Sequence, residues 1–243
     1  MKALILAAGY GTRLKHLTTD TPKPLLKVGD KPILNHIIDK IEDLDIINKI
    51  YIVTNDKFEK NFLEWLENFD AKKPVEIVSD GTKSNEDRLG AIGDVQHTIK
   101  TKNIDDDLII IAGDNLFELS LNEVISIFNK RGHDAIVLYD VKDPELAKNY
   151  GVVEVEENIV TNFEEKPLNP RSTLISTGIY LFPRKTLQLI GKYIEQGNNP
   201  DKTGSFIEWL HKREKIYAYI TEGKWYDIGS LEQLEEANKE YKK

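Results

Sequence analysis

Residues 2–14 read Lys-Ala-Leu-Ile-Leu-Ala-Ala-Gly-Tyr-Gly-Thr-Arg-Leu, and the pair Pro22-Lys23 follows shortly after them. The apolar run at 3–8 is typical of a buried parallel strand, and it leads directly into a glycine-rich turn. Glycine lets a backbone approach a ligand closely because it has no Cβ atom, and successive N–H groups of such a turn can face one anion. Arg13 and Lys23 add two positive charges beside the turn. The stretch therefore predicts a loop that binds a polyphosphate.

Two common glycine loops do not fit this stretch. A Walker A loop requires Gly-x-x-x-x-Gly-Lys-Ser/Thr, which the sequence lacks. A dinucleotide-binding loop requires Gly-x-Gly-x-x-Gly, but the third glycine position is occupied by Leu14. A kinase and a dinucleotide-dependent oxidoreductase are therefore not expected.

The pattern along the chain predicts an α/β fold. In the first half, strand-like runs at 3–8, 49–53, 75–78, 107–112 and 135–141 alternate with helical spacing at 33–44, 58–69 and 121–129. In the second half, β-type runs at 151–155, 159–163, 175–182 and 215–220 accompany helices at 185–195, 205–213 and 231–241. We expect a Rossmann-like, doubly wound, mostly parallel mixed sheet with a small β-rich insertion. The whole chain, 1–243, is interpreted as a single domain, with a first part at 1–148 and a second at 149–243.

Composition limits the function. The 243 residues carry a net charge of −8, which argues against general nucleic-acid binding, so an anionic substrate needs a local basic cluster. No apolar run reaches the roughly 20 residues of a membrane span, and the N-terminus lacks the pattern of a signal peptide. The sequence contains no cysteine, which excludes disulfides and thiolate chemistry and agrees with a cytoplasmic location. A homo-oligomer is left open.

Several further motifs follow the glycine loop in a fixed order. Pro22-Lys-Pro-Leu25 and Lys31-Pro-Ile33 come first, and Gly113-Asp-Asn115 follows the apolar run at 107–112. Glu164-Glu-Lys-Pro167 and Trp225-Tyr-Asp-Ile-Gly229 lie in the second half. Together with Leu-Ala-Ala-Gly-x-Gly-Thr-Arg-Leu at 6–14, they resemble the signatures of the sugar nucleotidyltransferases, also called nucleotide-sugar pyrophosphorylases. The resemblance extends from Met1 to Asn238 and is strongest to the glucose-1-phosphate thymidylyltransferase branch.

This resemblance implies the nucleotide-diphospho-sugar transferase fold and a set of nucleotide-binding residues. The glycine loop would hold the β- and γ-phosphates of an NTP, with Arg13 as a catalytic cation, and Lys23 would stabilise charge at the α-phosphate. The nucleotide-binding residues are expected to be Leu6, Ala8, Gly9, Gly11, Thr12, Arg13, Asp80 and Gly90. His16 departs from the family pattern, in which proline is frequent at this position.

The resemblance also implies a metal site and an acceptor site. Asp114 and Asp227 would hold Mg²⁺, which prefers carboxylates together with substrate phosphates. The acceptor, a sugar-1-phosphate, would be bound by Asn115, Gly151, Glu165, Lys166, Thr177 and Gly178, with Lys166 on its phosphate. Some family members carry a β-helical acetyltransferase extension, and none is expected for this chain.

The segment that would read the base is altered. Many thymidylyl- and uridylyltransferases of the family carry a glutamine after the third strand, whereas this chain has Ser79-Asp80-Gly81-Thr82 and, further on, Leu89-Gly-Ala-Ile-Gly-Asp94. Asp94 is unusual at a place where small residues are typical. We expect dTTP or UTP with glucose-1-phosphate. Cytidylyl or guanylyl transfer, a different phosphate acceptor and a non-catalytic sensing homologue stay open as alternatives.

A glycosyltransferase of the related fold is a further alternative, because it shares the sheet and a metal-binding aspartate. Such enzymes use an Asp-x-Asp pair, and this spacing occurs at Asp105-Asp-Asp107. That run precedes an apolar strand instead of following it, so it is rejected as a metal site.

Overall fold

A nine-stranded mixed sheet forms the centre of the fold. The structure, a computed structural model, describes residues 1–14 and 17–241, apart from the side chain of Arg13. The expectation about His16 and any role of the Arg13 side chain lie outside the described residues.

The strands are β1 (Lys2–Leu6), β2 (Lys27–Val28), β3 (Lys31–Pro32), β4 (Ile50–Thr54), β5 (Val75–Ser79), β6 (Leu108–Ala112), β7 (Asn115–Phe117), β8 (Asp134–Asp140), β9 (Gly151–Glu156), β10 (Ile159–Glu165), β11 (Leu174–Phe182), β12 (Ile216–Thr221) and β13 (Trp225–Asp227). The helices are α1 (Ile33–Glu42), α2 (Glu59–Glu67), α3 (Ala91–Thr101), α4 (Leu121–Arg131), α5 (Pro144–Ala147), α6 (Arg184–Glu195), α7 (Thr203–Leu210) and α8 (Leu231–Glu240).

The strand order of the large sheet is β5-β4-β1-β6-β11-β8-β12-β10-β9. Strands β5, β4, β1 and β6 are parallel, and β12 is parallel to β8, while β10 and β11 run antiparallel to their neighbours. The predicted mostly parallel mixed sheet is therefore confirmed. The β-type runs of the second half do not form a separate sheet, because β9 to β12 all join the sheet that begins with β1.

Apolar side chains of the sheet alternate between two cores. Along β1, Ala3 and Ile5 belong to a core with helices α1, α4 and α8, whereas Leu4 belongs to a core with α3, α6 and α7. Successive side chains of a strand point to opposite faces, so a strand that is apolar throughout is buried on both sides. This explains why the first half reads as continuous apolar runs and why helices cover both faces.

The carboxyl ends of β1 and β6 lie side by side and position the candidate site. Leu6 pairs in register with Ala112, and the Gly113 amide donates to the Leu6 carbonyl oxygen at 2.9 Å. A Cβ atom on Gly113 would lie 2.6 Å from that same oxygen. Glycine at 113 therefore lets the glycine-rich loop and Asp114 leave the sheet at adjacent points.

Six of these helices and strands were not predicted from the sequence: the short elements β2, β3 and α5, and the three that border the site, α3, β7 and β13. Helix α3 begins directly after Gly90, where the sequence reads only as an altered glycine motif. The short strands β7 and β13 form an antiparallel ladder in which Asn115 is opposite Asp227. In the parts of the chain that the structure describes, no helix is both long enough and apolar enough to cross a membrane.

Candidate functional site

The glycine-rich loop is held by hydrogen bonds from both sides. Gly11 has φ +62°, and a Cβ atom there would lie 2.9 Å from the Thr18 side chain, whose hydroxyl donates to the Gly11 carbonyl at 2.8 Å. On the other side, Asn55 Nδ2 donates to the Ala8 carbonyl at 2.8 Å. Because these carbonyls are engaged by protein donors, the backbone of the loop is fixed without a ligand.

A small cavity of about 90 Å³ opens against this loop. Its lining includes the predicted nucleotide-binding residues Leu6, Gly9 and Gly11, together with Lys23 and Asp114. Ala8 is buried, and Thr12 begins a short 3₁₀ helix, Thr12–Leu14; neither lines the cavity.

Lys23 and Asp114 form an ion pair at the floor of this cavity. Lys23 Nζ lies 2.8 Å from Asp114 Oδ2, and the two side chains are 12% and 32% exposed. Lys23 begins a 3₁₀ turn, Lys23–Leu25, in which Pro24 is buried, so the backbone that carries the lysine is constrained. The two residues predicted for catalysis and metal binding are therefore in contact in the described structure.

The β7–β13 ladder brings the two predicted metal ligands together. Asp227 is opposite Asn115, the residue after Asp114, and the Ile228 amide donates to the Asp114 carbonyl at 3.0 Å. Both carboxylates line a second, larger cleft of about 540 Å³. Two hard oxygen donors beside a phosphate-sized cavity fit Mg²⁺, which completes its coordination with substrate oxygens and water. The described residues contain no cluster of three or more histidine, cysteine or acidic side chains arranged as a protein-only metal site.

The predicted acceptor residues lie together in the larger cleft. Its lining includes Asn115, Gly151, Glu165, Lys166, Thr177 and Gly178, as well as both aspartates. Asp114 lines both cavities, so it marks the point where the glycine loop and the acceptor side meet.

Two glycines make room for the Glu165 carboxylate. A Cβ atom on Gly204 would lie 2.0 Å from Glu165 Oε2, and one on Gly151 would lie 2.4 Å from the Phe163 ring and 3.3 Å from the same oxygen. Lys202 Nζ lies 3.5 Å from Glu165 Oε1. The carboxylate is thus held in the cleft between β9, β10 and helix α7.

Lys166 has an unusual backbone conformation. Its φ is +53°, in the left-handed region that side chains other than glycine rarely adopt, and its amide donates to the Tyr150 carbonyl at 3.0 Å. Non-glycine residues in this region cost about 1–3 kcal/mol and cluster at functional sites. The strain supports a role for Lys166 in the cleft.

The end of the cleft near β11 is tightly packed. Asn115 Nδ2 donates to the Thr177 carbonyl, and the Thr177 hydroxyl donates to the Val137 carbonyl at 2.9 Å. Gly178 has φ +78°, and a Cβ atom there would lie 2.9 Å from the Ala112 side chain. The Thr177 hydroxyl hydrogen is therefore already used within the protein, so Thr177 could meet a sugar hydroxyl only as an acceptor.

Asp80 and Gly90, two of the predicted nucleotide-binding residues, are each in close contact with other parts of the protein. Asp80 is buried and accepts hydrogen bonds from the Thr82 amide and hydroxyl at 2.7 and 2.8 Å. Gly90 has φ +80°, and a Cβ atom there would lie 2.5 Å from the Asp201 Cα atom. The close approach at Gly90 is thus to the Pro200–Asp201 backbone, and its contact with a nucleotide stays a prediction.

Sequence reasoning missed several residues that line or border the cleft. Lys202 and Gly204 follow a polar loop with no familiar motif, and Tyr180 lies within an apolar strand. The Tyr180 hydroxyl is 2.8 Å from the Ser176 hydroxyl and 3.2 Å from that of Thr203. Burial raises the pKa of Tyr180, so its hydroxyl stays neutral. The one sequence feature that could have indicated this part of the cleft was Lys202, three residues before a helical run.

Known proteins resemble the chain over nearly its whole length. The Bifunctional protein GlmU of Methanocaldococcus jannaschii is 35% identical over 240 residues, which cover 98% of this chain and 54% of that protein. The UTP–glucose-1-phosphate uridylyltransferase AglF of Haloferax volcanii is 33% identical over 184 residues, or 75% of this chain and 72% of that protein. The chain thus spans about half the length of the GlmU relatives it matches.

Solved structures share the fold. A Bacillus anthracis protein assigned as a glucose-1-phosphate thymidylyltransferase, in complex with a sucrose, superposes with a TM-score of 0.80 at 26% identity. The match covers 98% of this chain and 94% of that one. The profile of the Nucleotidyl transferase family matches residues 2–243, which include the glycine loop, Lys23 and both cleft aspartates. The chain therefore belongs to the Nucleotidyl transferase family.

Proposed function

We propose that the chain transfers a nucleotidyl group from an NTP to a sugar-1-phosphate, releasing pyrophosphate and a nucleotide-sugar. The observation that carries this proposal is the position of Asp114, which lines both the glycine-loop cavity and the larger cleft and pairs with Lys23 at 2.8 Å. A nucleophile in the cleft and a leaving group in the loop would therefore meet at Asp114 and Lys23. Reactants held in this way need no covalent intermediate with the protein.

In the proposed reaction a phosphate oxygen of the sugar-1-phosphate attacks the α-phosphorus of the NTP. The bond from the α-phosphorus to the oxygen that bridges it to the β-phosphate breaks, and its electron pair leaves with pyrophosphate. The attacking phosphate is already an anion near pH 7, since its second pKa lies near 6, so no general base is needed. Lys23 would stabilise the charge that develops at the α-phosphate, and the loop amides and Arg13 would hold the leaving pyrophosphate.

Asp114 and Asp227 are the residues that would hold Mg²⁺. A bound Mg²⁺ would neutralise phosphate charge during transfer. Lys166 and Lys202 bring two ammonium groups to the acceptor cleft, where they would orient the sugar phosphate. The retention of Lys23 and both aspartates argues against the non-catalytic alternative.

We infer dTTP or UTP as the nucleotide and glucose-1-phosphate as the acceptor. The uridylyltransferase and thymidylyltransferase names of the relatives support this choice. The altered segment at 79–94 keeps cytidylyl and guanylyl transfer as alternatives, because a base is selected by hydrogen bonds that leave the wrong base unpaired. The cysteine-free sequence agrees with a cytoplasmic enzyme, and a homo-oligomer stays a prediction.

The test is pyrophosphate release with Mg²⁺, measured for dTTP, UTP, CTP, GTP and ATP against glucose-1-phosphate and other phosphate acceptors. Release with one matched NTP and acceptor is expected, and it should be lost in Asp114→Asn and Asp227→Asn. Asp45→Asn, at an exposed aspartate outside both cavities, is the control and should retain activity. If calorimetry shows that none of the five nucleotides binds, the proposal is wrong.

A further inference from the structure

A buried group of polar side chains lies at the carboxyl end of β5, next to the glycine loop. Asp80, Thr82 and Asp94 are 8%, 5% and 7% exposed. Asp94 is in the first turn of helix α3, where the sequence already marks it as unusual for the family. Buried carboxyl groups without a cation are costly, so their presence calls for an explanation.

Hydrogen bonds connect this group to the glycine loop. Asp80 Oδ1 accepts from both the amide and the hydroxyl of Thr82, and the Thr82 hydroxyl oxygen lies 2.9 Å from the Tyr10 hydroxyl. Thr82 has one hydroxyl hydrogen, which goes to Asp80, so Tyr10 must be the donor to Thr82. The hydrogen bonds therefore run from Tyr10 to Thr82 and from Thr82 to Asp80. This direction is set by a negative charge on Asp80.

Asp94 is the group that faces Asp80 from helix α3. Its Oδ1 is buried and has no hydrogen-bond donor among the described residues. The nearest cation in sequence, Arg88, is engaged with Asp201 at 2.8 Å. Burial and the adjacent charge of Asp80 raise the pKa of Asp94 to about 8. Two adjacent buried carboxyl groups cannot both ionise easily, so at neutral pH Asp94 holds the proton and donates it in a hydrogen bond to Asp80.

Few groups around helix α3 compete with the pairing of Asp94 and Asp80. The helix packs against β1, β4, α6 and α7, which contribute the phenols of Tyr51 and Tyr193 to the shared apolar core. The charged group that acts on the pKa of Asp94 is Asp80. Burial and the carboxylates of Asp80, Asp87 and Asp94 raise the pKa of Tyr10, so its hydroxyl keeps its hydrogen well above neutral pH.

We infer that Asp94, as a neutral acid, is a positioning residue for the nucleotide, because it holds Asp80 and, through Thr82, the Tyr10 hydroxyl of the glycine loop. The inference rests on the proposed function only in assigning an NTP to that loop. Ionisation of Asp94 would place two negative charges together in a buried site, and their repulsion would push Asp80 away from its present position. Displacement of Asp80 would break the hydrogen bonds that connect it through Thr82 to Tyr10.

The consequence is a pH-dependent affinity for the nucleotide. If only the form with neutral Asp94 binds NTP well, about nine-tenths of the protein is competent at pH 7 and about one-tenth at pH 9. The dissociation constant of the Mg²⁺–NTP complex should therefore rise about tenfold between these pH values. The turnover number at saturating NTP should change much less, because Asp94 does not touch the reacting atoms.

The experiment compares three proteins by calorimetry with Mg²⁺ and each of the five nucleotides at pH 7 and pH 9. The wild type should show the tenfold weakening, whereas Asp94→Asn, which keeps a donor for Asp80 but cannot ionise, should bind with similar affinity at both pH values. Asp134→Asn is the matched control, because Asp134 is also a buried carboxyl group with a raised pKa, and it lies at the amino end of β8, away from the glycine loop. It should keep the pH dependence of the wild type. Equal weakening in wild type and Asp94→Asn would overturn the inference.

A second readout does not depend on nucleotide binding. Amide hydrogen exchange of the loop at 8–14 should be faster in the wild type than in Asp94→Asn at pH 9, and equal at pH 7. Equal exchange at both pH values would also overturn the inference. The expected exchange difference, together with an absence of binding by any nucleotide, would support the role of Asp94 in holding the loop and would reject the proposed function instead.

Discussion

At the residue scale, the ion pair between Lys23 and Asp114 joins a residue proposed to contact phosphate to a residue proposed to bind metal. The lysine is mostly buried, so its ammonium group is poorly solvated and depends on Asp114 for a partner. An incoming Mg²⁺–NTP complex would offer Asp114 a metal and Lys23 a phosphate. The ion pair therefore holds both side chains in place until substrate binds. Asp114 would then turn from Lys23 to the metal, and Lys23 from Asp114 to the phosphate.

Replacement of Lys23 tests its part in the transition state. Lys23→Ala should lower kcat by about 10²-fold or more at saturating substrates, because a charge aimed at the α-phosphate is lost. The measurement is steady-state pyrophosphate release with the matched NTP and acceptor. Unchanged turnover would remove Lys23 from the mechanism.

Lys27→Ala is the control for that experiment. Lys27 is an exposed lysine in β2, a few residues further along the same segment, and its replacement changes the net charge by the same amount. We expect its kcat to match that of the wild type. A similar fall in both variants would indicate a general electrostatic effect instead of a specific contact.

At the scale of elements, the beginning of helix α3 joins the two parts of the chain. The amides of Ala91 and Ile92 donate to the carbonyls of Asp201 and Pro200 at 3.1 and 2.9 Å. Gly90, which precedes them, approaches the same backbone so closely that no side chain fits. The loop before α7 is therefore fixed against the beginning of helix α3.

Gly90→Ala should destabilise the protein by more than backbone strain alone. A residue with a Cβ atom at φ +80° costs about 1–3 kcal/mol, and here the added atom would also meet the Asp201 backbone at 2.5 Å. Urea unfolding measures the change in the free energy of unfolding.

Gly197→Ala is the control for a positive φ without a close neighbour. Gly197 has φ +78°, nearly the same as Gly90, but nothing lies within 4 Å of its missing Cβ atom. The excess loss in Gly90→Ala over Gly197→Ala therefore measures the clash together with the strain at the Gly90 ψ of 162°, which residues other than glycine rarely adopt. Equal losses in the two variants would show that the loop at 200–201 moves away freely.

Local pattern explains which elements the sequence predicted. Strands β1 and β6 are continuous apolar runs that end in polar motifs, so the position of Asp114 at a strand end followed directly. Strands β7 and β13 are only three residues long, too short for any periodicity, and they pair across nearly half of the chain. Helix α3 was missed because polar residues, including the buried Asp94 and Thr98, occupy part of its inner face.

Within the site, individual residues were predictable from the sequence, but their contacts with one another were not. The order of the motifs along the chain identified Lys23, Asp114, Asp227 and Lys166 as candidates, because the chemistry of each residue type is evident without coordinates. It did not reveal that Lys23 pairs with Asp114 or that Asp80 shares its surroundings with Asp94. Contacts between residues far apart in sequence depend on packing, which a single sequence does not encode in any local pattern.

At the scale of the whole molecule, Asp134 lies at the beginning of the interior strand β8, at the end of the sheet opposite the carboxyl ends that carry the site. It is fully buried, and burial raises its pKa to about 7. Between its ordinary pKa near 4 and this raised value, the folded protein binds a proton that the unfolded chain has released. The free energy of unfolding therefore falls as pH rises from about 4 to 7, and this contribution is constant above that range.

Asp134→Asn should remove that dependence. The difference in free energy of unfolding, variant minus wild type, should increase by up to about 4 kcal/mol between pH 4 and pH 8, because three pKa units correspond to about that energy. Urea unfolding of both proteins over this range provides the measurement. A difference that does not vary with pH would show that Asp134 titrates at its ordinary value.

The β7–β13 ladder has a consequence for the growing polypeptide. Asn115–Phe117 leaves the ribosome long before Trp225–Asp227, so β7 must wait with an unpaired edge while much of the protein is translated. Until then Asp114 lacks Asp227, the second of the two aspartates that we propose to hold Mg²⁺. If that proposal is right, a chain that ends before β13 should bind no metal at this site and should not turn over nucleotide.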